Sequence, residues 1–135
     1  MTQATETSWS APAHEASLAR QRAWVEVNTG AISANARSLK RCIGNGTELM
    51  AVVKADGYGH GSIPVARAAL AGGASQCGVA TLSEGIELRR AGIEAPILVL
   101  GNLTQVEELR SCLHWQLMPT ISGMREALVC QNLAS

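Results

Sequence analysis

Residues 49–61 of this 135-residue chain read LMAVVKADGYGHG, an apolar run followed by one lysine and then by alternating glycines. The apolar run, Leu49 to Val53, ends in two β-branched valines, which favour a buried strand. Glycine then occupies every second position from Gly57 to Gly61, which predicts a tight loop because glycine is costly in strands and helices. Ser62 as a cap and Pro64 in the first turn indicate a helix. The stretch therefore predicts a strand, a lysine, a glycine loop and a helix.

The composition narrows the class of protein. Hydrophobic residues make up 47% of the chain and charged residues 16%, which excludes a disordered protein. The net charge is zero, and no basic patch indicates a nucleic-acid partner. No apolar stretch is long enough to span a membrane, and the N-terminus lacks a signal pattern, so we expect a cytoplasmic protein. The four cysteines have no metal-binding spacing, and we expect buried thiols and no metal site.

Strands and helices alternate along the rest of the chain. Nearly continuous apolar strands separated by helices are typical of a parallel α/β sheet, in which all strand C-termini lie on one rim. Residues 1–22 are predicted to be a flexible tail that contains His14, and residues 23–135 form the folded part. The predicted strands are 24–28, 49–53, 76–81, 97–100 and 117–120, and the predicted helices are about 31–41, 63–71, 82–91, 104–113 and from 123 onward.

Two possible capping boxes mark helix starts. Thr81 is followed three residues later by Glu84, and Thr104 is followed in the same way by Glu107. Four charged residues of the helix that starts at the first box are predicted to form a solvent-exposed face, with small stability contributions from ion pairs. That set is Glu84, Glu87, Arg89 and Arg90.

Position alone says little about Lys54, because most lysines at strand ends are solvated surface charges. The whole string VVKADGYGHG, residues 52–61, is more specific: it closely resembles the cofactor-lysine motif of alanine racemases, which are fold-type III pyridoxal phosphate (PLP) enzymes. The lysine, the acidic residue, the tyrosine and the three glycines all stand at the family spacing. The resemblance extends from about residue 24 to at least 120, and it includes GVATLSEGIELRRAGI (78–93) and PILVLGN (96–102).

The resemblance implies a fold and a site. The fold would be a partial TIM-type (β/α) barrel with about the first four strand–helix units and parallel strands. Lys54 would be the Schiff-base lysine for PLP and one catalytic base, and Tyr58 would contact the cofactor phosphate. An apolar barrel mouth, with Val52 on the face of Lys54, would disfavour the charged amine, and only the neutral amine attacks an aldehyde. His60 has no expected chemical role and is predicted to hydrogen-bond within its own loop.

The resemblance also implies that part of the barrel and one of the two catalytic bases are absent from this sequence. A complete barrel takes roughly 250 residues. Racemisation needs a base on each face of Cα, and in the family the second base is a tyrosine from the other subunit of a dimer, whereas Tyr58 is the only tyrosine here. We therefore expect the N-terminal portion of an alanine racemase, acting on alanine to supply D-alanine for peptidoglycan and inactive by itself. The alternatives are a non-catalytic PLP-binding barrel protein and an inactive truncated remnant. Four strands of an eight-stranded barrel would leave the edges of the sheet open. We therefore expect the isolated chain to self-associate, to aggregate or to be molten.

Overall fold

The computed structural model describes residues 24–134, in which helices and strands alternate. The predicted tail, residues 1–22 with His14, lies outside this range. None of the helices within residues 24–134 is long and apolar enough to cross a membrane. The elements are α1 (Thr29–Ile43), β1 (Met50–Val52), α2 (Lys54–Gly59), α3 (Ser62–Ala71), β2 (Gln76–Val79), α4 (Leu82–Arg90), β3 (Ile97–Asn102), α5 (Val106–His114), β4 (Met118–Thr120) and α6 (Met124–Ala134).

The four strands form one parallel sheet in the order β1-β2-β3-β4. In the register of the sheet, Val52 lies beside Gly78, Val79 beside Val99, and Leu98 beside Met118. Within residues 24–134, β1 and β4 are edge strands, so the sheet does not close. The predicted class, α/β with parallel strands, is confirmed, and the open sheet of four strand–helix units is the geometry of a partial barrel.

The core lies between one face of this sheet and the helices. Side chains from alternate strand positions are fully buried there, and Leu88 of α4 and Leu109 of α5 cover them. Burial raises the pKa of the Cys77 thiol, and it raises that of Cys112 to about 11, with Cys130 as a smaller cause. These buried cysteines therefore behave as small hydrophobic residues. The buried residues are Cys77, Val79, Ile97 and Val99 of the strands and Val53, which directly follows β1.

Capping residues in the sequence define where three of the helices begin. The side chain of Asn28 accepts the N–H of Ala31 at 2.9 Å and caps α1, which is a common role for asparagine at a helix start. The capping box of Thr81 and Glu84 starts α4, which confirms the first predicted box. The second box was misplaced by one residue, because α5 begins at Val106 and Glu108 accepts the N–H of Gln105 at 3.2 Å.

Two further predictions were wrong. Residues 24–28 do not form a strand, since no strand within residues 24–134 pairs with them and the Val25 side chain is 81% exposed. Ser62 is not the cap of α3. The cap position is Gly61, and the Asp56 carboxylate accepts the N–H of Ser62 at 2.9 Å, so it supplies the missing acceptor from a preceding element.

Arg89 also departs from its predicted place on a solvated face. Its guanidinium group donates to the carbonyl oxygens of Ile93 and Ala95, before β3, and to those of Trp115 and Gln116, before β4. An arginine side chain has five N–H donors in a rigid, planar arrangement, so it can donate to several carbonyl oxygens at once. The side chain therefore ties together two connections at the end of the sheet opposite the strand C-termini.

Candidate functional site

Lys54 stands where β1 leaves the sheet. The last bond of the β1–β2 ladder runs from Val53 N–H to Gly78 O at 2.8 Å, and Lys54 follows it, half-buried. Within residues 24–134 the Lys54 side chain makes no hydrogen bond and no ion pair. The other lysine of the chain, Lys40, differs, because its Nζ donates to Gly44 O at 3.3 Å and to Thr47 O at 2.5 Å. The amine of Lys54 is therefore the one available to a ligand.

The residues after Lys54 form one left-handed helical turn instead of the loop predicted from the glycines. From Ala55 to Tyr58 the φ values lie between +50° and +60° and the ψ values between +35° and +51°. Only Gly57 adopts this conformation without steric cost, and each other residue costs about 1–2 kcal/mol there. Such strain persists only where surrounding contacts impose it, and it is common at functional sites.

The turn is anchored at both ends by backbone bonds. Gly57 N–H donates to Val53 O at 3.0 Å, and Gly61 N–H donates to the carbonyl of Asp56 at 2.8 Å. A side chain at Gly57 would be tightly confined, because a Cβ would lie 3.2 Å from Cγ2 of Val65 and 3.3 Å from the backbone nitrogen of Ser62. The turn is therefore packed closely against the start of α3.

Glu84 connects this turn to the next strand–helix unit. Its Oε1 accepts the N–H of Ala55 at 2.7 Å, and its Oε2 accepts the N–H groups of Ala80 at 2.7 Å and Thr81 at 3.1 Å. Partial burial alone would raise the pKa of this carboxyl group, but the three backbone hydrogen bonds and one from the Thr81 side chain outweigh burial and lower it. The prediction of a solvated face is thus wrong for Glu84, although the capping-box spacing did single the residue out.

Tyr58 and His60 occupy the outer side of the turn. The Tyr58 side chain is 59% exposed. His60 Nδ1 lies 3.1 Å from Tyr58 O and 3.2 Å from Gly57 O. Carbonyl oxygens only accept, so Nδ1 is the donor in these contacts. The prediction that His60 hydrogen-bonds within its own loop is confirmed.

The sheet face turned away from the helices lies below the lysine. The side chains of Val52 and Leu100 on this face are 39% and 41% exposed. Both lie within 3.5 Å of the place that a side chain at Gly78 would occupy. Met50, Leu98 and Met118 also occupy this face at alternate strand positions, and the polar Gln76 lies beside Met50 at its far end.

The other strand ends lie on the same rim, as parallel strands require. An open cleft of about 510 Å³ lies between the ends of β2 and β3, and Thr81 and Asn102 line it. Oδ1 of Asn102 accepts the hydroxyl of Ser122, beyond β4, at 3.0 Å. Among residues 24–134 there is no group of three or more His, Cys, Asp and Glu side chains that could hold a metal ion. The rim therefore offers an amine, a phenol and hydroxyl groups above an apolar surface.

Parallel strand–helix units of this kind build α/β barrels, in which functional sites lie at the C-terminal rim of the strands. The family model for the alanine racemase N-terminal domain matches residues 15–135, and the chain belongs to this family. The alanine racemase of Prochlorococcus marinus is 62% identical over 115 residues, which are 85% of this chain and 30% of that protein. The alanine racemase of Synechocystis is 51% identical over 116 residues, 86% of this chain and 31% of that protein.

Solved structures of alanine racemases also match this chain. The crystal structure of alanine racemase from Bacillus anthracis with bound L-Ala-P matches with a TM-score of 0.74 and 39% identity, over 82% of this chain and 28% of that one. Alanine racemase from E. faecalis matches with a TM-score of 0.73 and 37% identity, over 78% and 28% of the two chains. The predicted partial TIM-type barrel is confirmed. The chain spans about a third of the length of the curated relatives it matches.

Proposed function

We propose that this chain is the N-terminal part of a PLP-dependent alanine racemase that interconverts L-alanine and D-alanine. The observation that carries the proposal is the unpaired, half-buried amine of Lys54 at the end of β1, in a chain whose relatives are named alanine racemase. The product D-alanine would serve peptidoglycan synthesis. The proposed compartment is the cytoplasm, because four free thiols suit a reducing environment.

The chemistry of the available groups fits PLP. A primary amine without a partner is what an aldehyde requires, and Lys54 supplies one. A phenol O–H is a suitable donor to phosphate, and Tyr58 carries it one helical turn after the lysine. Lys54 would therefore hold the cofactor covalently, and Tyr58 would bind its phosphate.

The same residues would take part in proton transfer at alanine. PLP, when bound, supplies the electron sink that makes the Cα proton of an amino acid removable. Nζ of Lys54 would take or return that proton on one face of the substrate. The turn that follows Lys54 would hold Nζ in place, and the apolar face around Val52 would exclude water below it.

The opposite face of Cα needs a second base. The sequence contains a single tyrosine, Tyr58, which the proposal assigns to the phosphate. We therefore propose that the second base is a residue outside residues 1–135, contributed by the partner subunit of the dimer that the family resemblance implies. The substrate is a small amino acid, and the zero net charge gives no reason to expect a nucleic-acid partner.

The proposal is tested by following alanine with the chain and added PLP in deuterium oxide. One base suffices to exchange the Cα hydrogen with retention, so we expect slow exchange into L-alanine and no more D-alanine than free PLP forms. Lys54→Ala should abolish the exchange, and Lys40→Ala, the matched control, should preserve it. Exchange that survives Lys54→Ala would contradict the assigned base. Rapid D-alanine formation that Lys54→Ala abolishes would contradict the need for a second base from outside residues 1–135. A non-catalytic PLP-binding protein would show neither exchange nor D-alanine.

A further inference from the structure

Glu84 makes one hydrogen bond to a residue outside the start of its own helix. The bonds from Ala80 and Thr81 to Oε2 belong to the start of its own helix, where a Glu at this position normally satisfies free N–H groups. The bond from Ala55 N–H to Oε1 spans 29 residues of sequence and reaches another strand–helix unit. Ala55 is exposed, so water could satisfy its N–H group without Glu84.

The hydrogen bond from Ala55 N–H to Glu84 lies at the point where the backbone is strained. Ala55 is the first left-handed residue after Lys54, with φ +50° and ψ +51°. Its N–H belongs to the peptide bond that joins it to Lys54, so a fixed N–H orientation also fixes the carbonyl end of the lysine. An ionised carboxylate makes a stronger bond to an N–H group than a neutral acceptor does. Glu84 therefore holds the lysine backbone from outside its own loop.

We propose that Glu84 is a positioning residue for Lys54: through Ala55 N–H its carboxylate sets the left-handed turn that aims the lysine amine at the cofactor. The inference rests on the proposed function, since it concerns the same lysine. It adds a residue of the second strand–helix unit to the site that the first unit forms. It also makes the capacity of Lys54 to capture PLP depend on a side chain that does not touch the cofactor.

Three substitutions separate this role from helix capping. Glu84→Gln keeps a side chain that satisfies a capping box but offers one acceptor oxygen instead of two, so we expect the Ala55 bond to be lost while the bond to Thr81 is kept. Thr81→Ala removes the acceptor of the Glu84 N–H and the hydroxyl that bonds to the Glu84 carboxylate, and so weakens the box, but it leaves both partners of the Ala55 bond in place. Glu87→Gln is the matched control, because Glu87 is exposed on the same helix and its carboxylate has no hydrogen bond within residues 24–134.

The measurements are hydrogen exchange of the Ala55 amide without cofactor, and the rate at which PLP plus borohydride labels Lys54 in the full chain. For Glu84→Gln we expect Ala55 protection and the labelling rate to fall by at least about tenfold, together with a fall in melting temperature because the stabilisation by the ionised carboxylate is also lost. For Thr81→Ala we expect a lower melting temperature with Ala55 protection and labelling retained. Glu87→Gln should change none of them.

The outcomes distinguish this inference from the proposed function. If Lys54 of the unsubstituted chain captures PLP and Glu84→Gln leaves Ala55 protection and labelling unchanged, Glu84 has no positioning role. An Ala55 amide that already exchanges freely in the unsubstituted chain would overturn the inference equally. If Lys54 of the unsubstituted chain captures no PLP, the proposed function fails and the positioning role fails with it.

Discussion

The chemistry of this chain depends on how individual side chains are partnered. Lys40 and Lys54 are the same residue type, yet the first donates to two carbonyl oxygens and the second has no partner within residues 24–134. Glu84 and Glu87 differ in the same way, since only Glu84 accepts backbone N–H groups. A motif predicts which residues matter, but partners contributed by distant elements decide what each side chain does.

The pH dependence of the Ala55 amide follows from these bonds. Because the hydrogen bonds lower the pKa of Glu84, we expect the Ala55 amide resonance to titrate with a midpoint below the ordinary value of 4.5. By linkage, a depressed carboxyl pKa stabilises the folded state above the unfolded pKa, and this contribution is lost as the pH falls through the folded pKa. Titration followed by NMR measures the midpoint. A midpoint at or above 4.5, or no titration at Ala55, would contradict the bond.

At the scale of the element, the left-handed turn predicts that a side chain at Gly57 destabilises the fold. Gly57→Ala should destabilise the fold by about 1–2 kcal/mol, because an alanine pays the left-handed strain at φ +60° and its Cβ meets Val65. Gly46→Ala is the matched control, since a Cβ there meets nothing within 4 Å, and we expect a change within about 0.5 kcal/mol. Denaturant unfolding at one protein concentration measures both. Equal effects of the two substitutions would contradict the described turn.

The elements also show what the sequence could and could not predict. The parallel strands, the caps at Asn28 and Thr81 and the position of Lys54 follow from local patterns and from the motif. The left-handed turn does not, because Ala55 and Asp56 have no intrinsic preference for it and a bond from Glu84, distant in sequence, supports it. A predicted strand at 24–28 failed because alternation alone does not supply a partner strand.

At the scale of the whole molecule, the sheet is open in two directions. Within residues 24–134, β1 and β4 leave unpaired backbone groups at the edges, and Val52 and Leu100 remain substantially exposed on the face without helices. Each large apolar side chain left uncovered forfeits about 1.5–3 kcal/mol of burial, against a typical domain stability of about 5–15 kcal/mol. Such a sheet favours association through its edges and its open face.

We therefore expect residues 1–135, purified alone, to self-associate. Size-exclusion chromatography with light scattering should give a mass above that of one 14.2 kDa chain. Exchange of the backbone amides of β1 and β4 should be slower in the associated state than in a diluted sample. A monomer with a sharp thermal transition and protected edge strands would contradict this expectation, because it would require the edges to be covered within a single chain.

The assignment of Lys54 as the cofactor lysine is tested most directly by fixing PLP to the chain. Borohydride reduction after incubation with PLP, followed by peptide mapping, identifies the lysine that carries the pyridoxyl group. The chain has two lysines, so Lys40 is an internal control. Because the Lys40 amine is engaged by two carbonyl oxygens and that of Lys54 is not, we expect the label on Lys54. A label on Lys40, or equal labels on both lysines, would contradict the account.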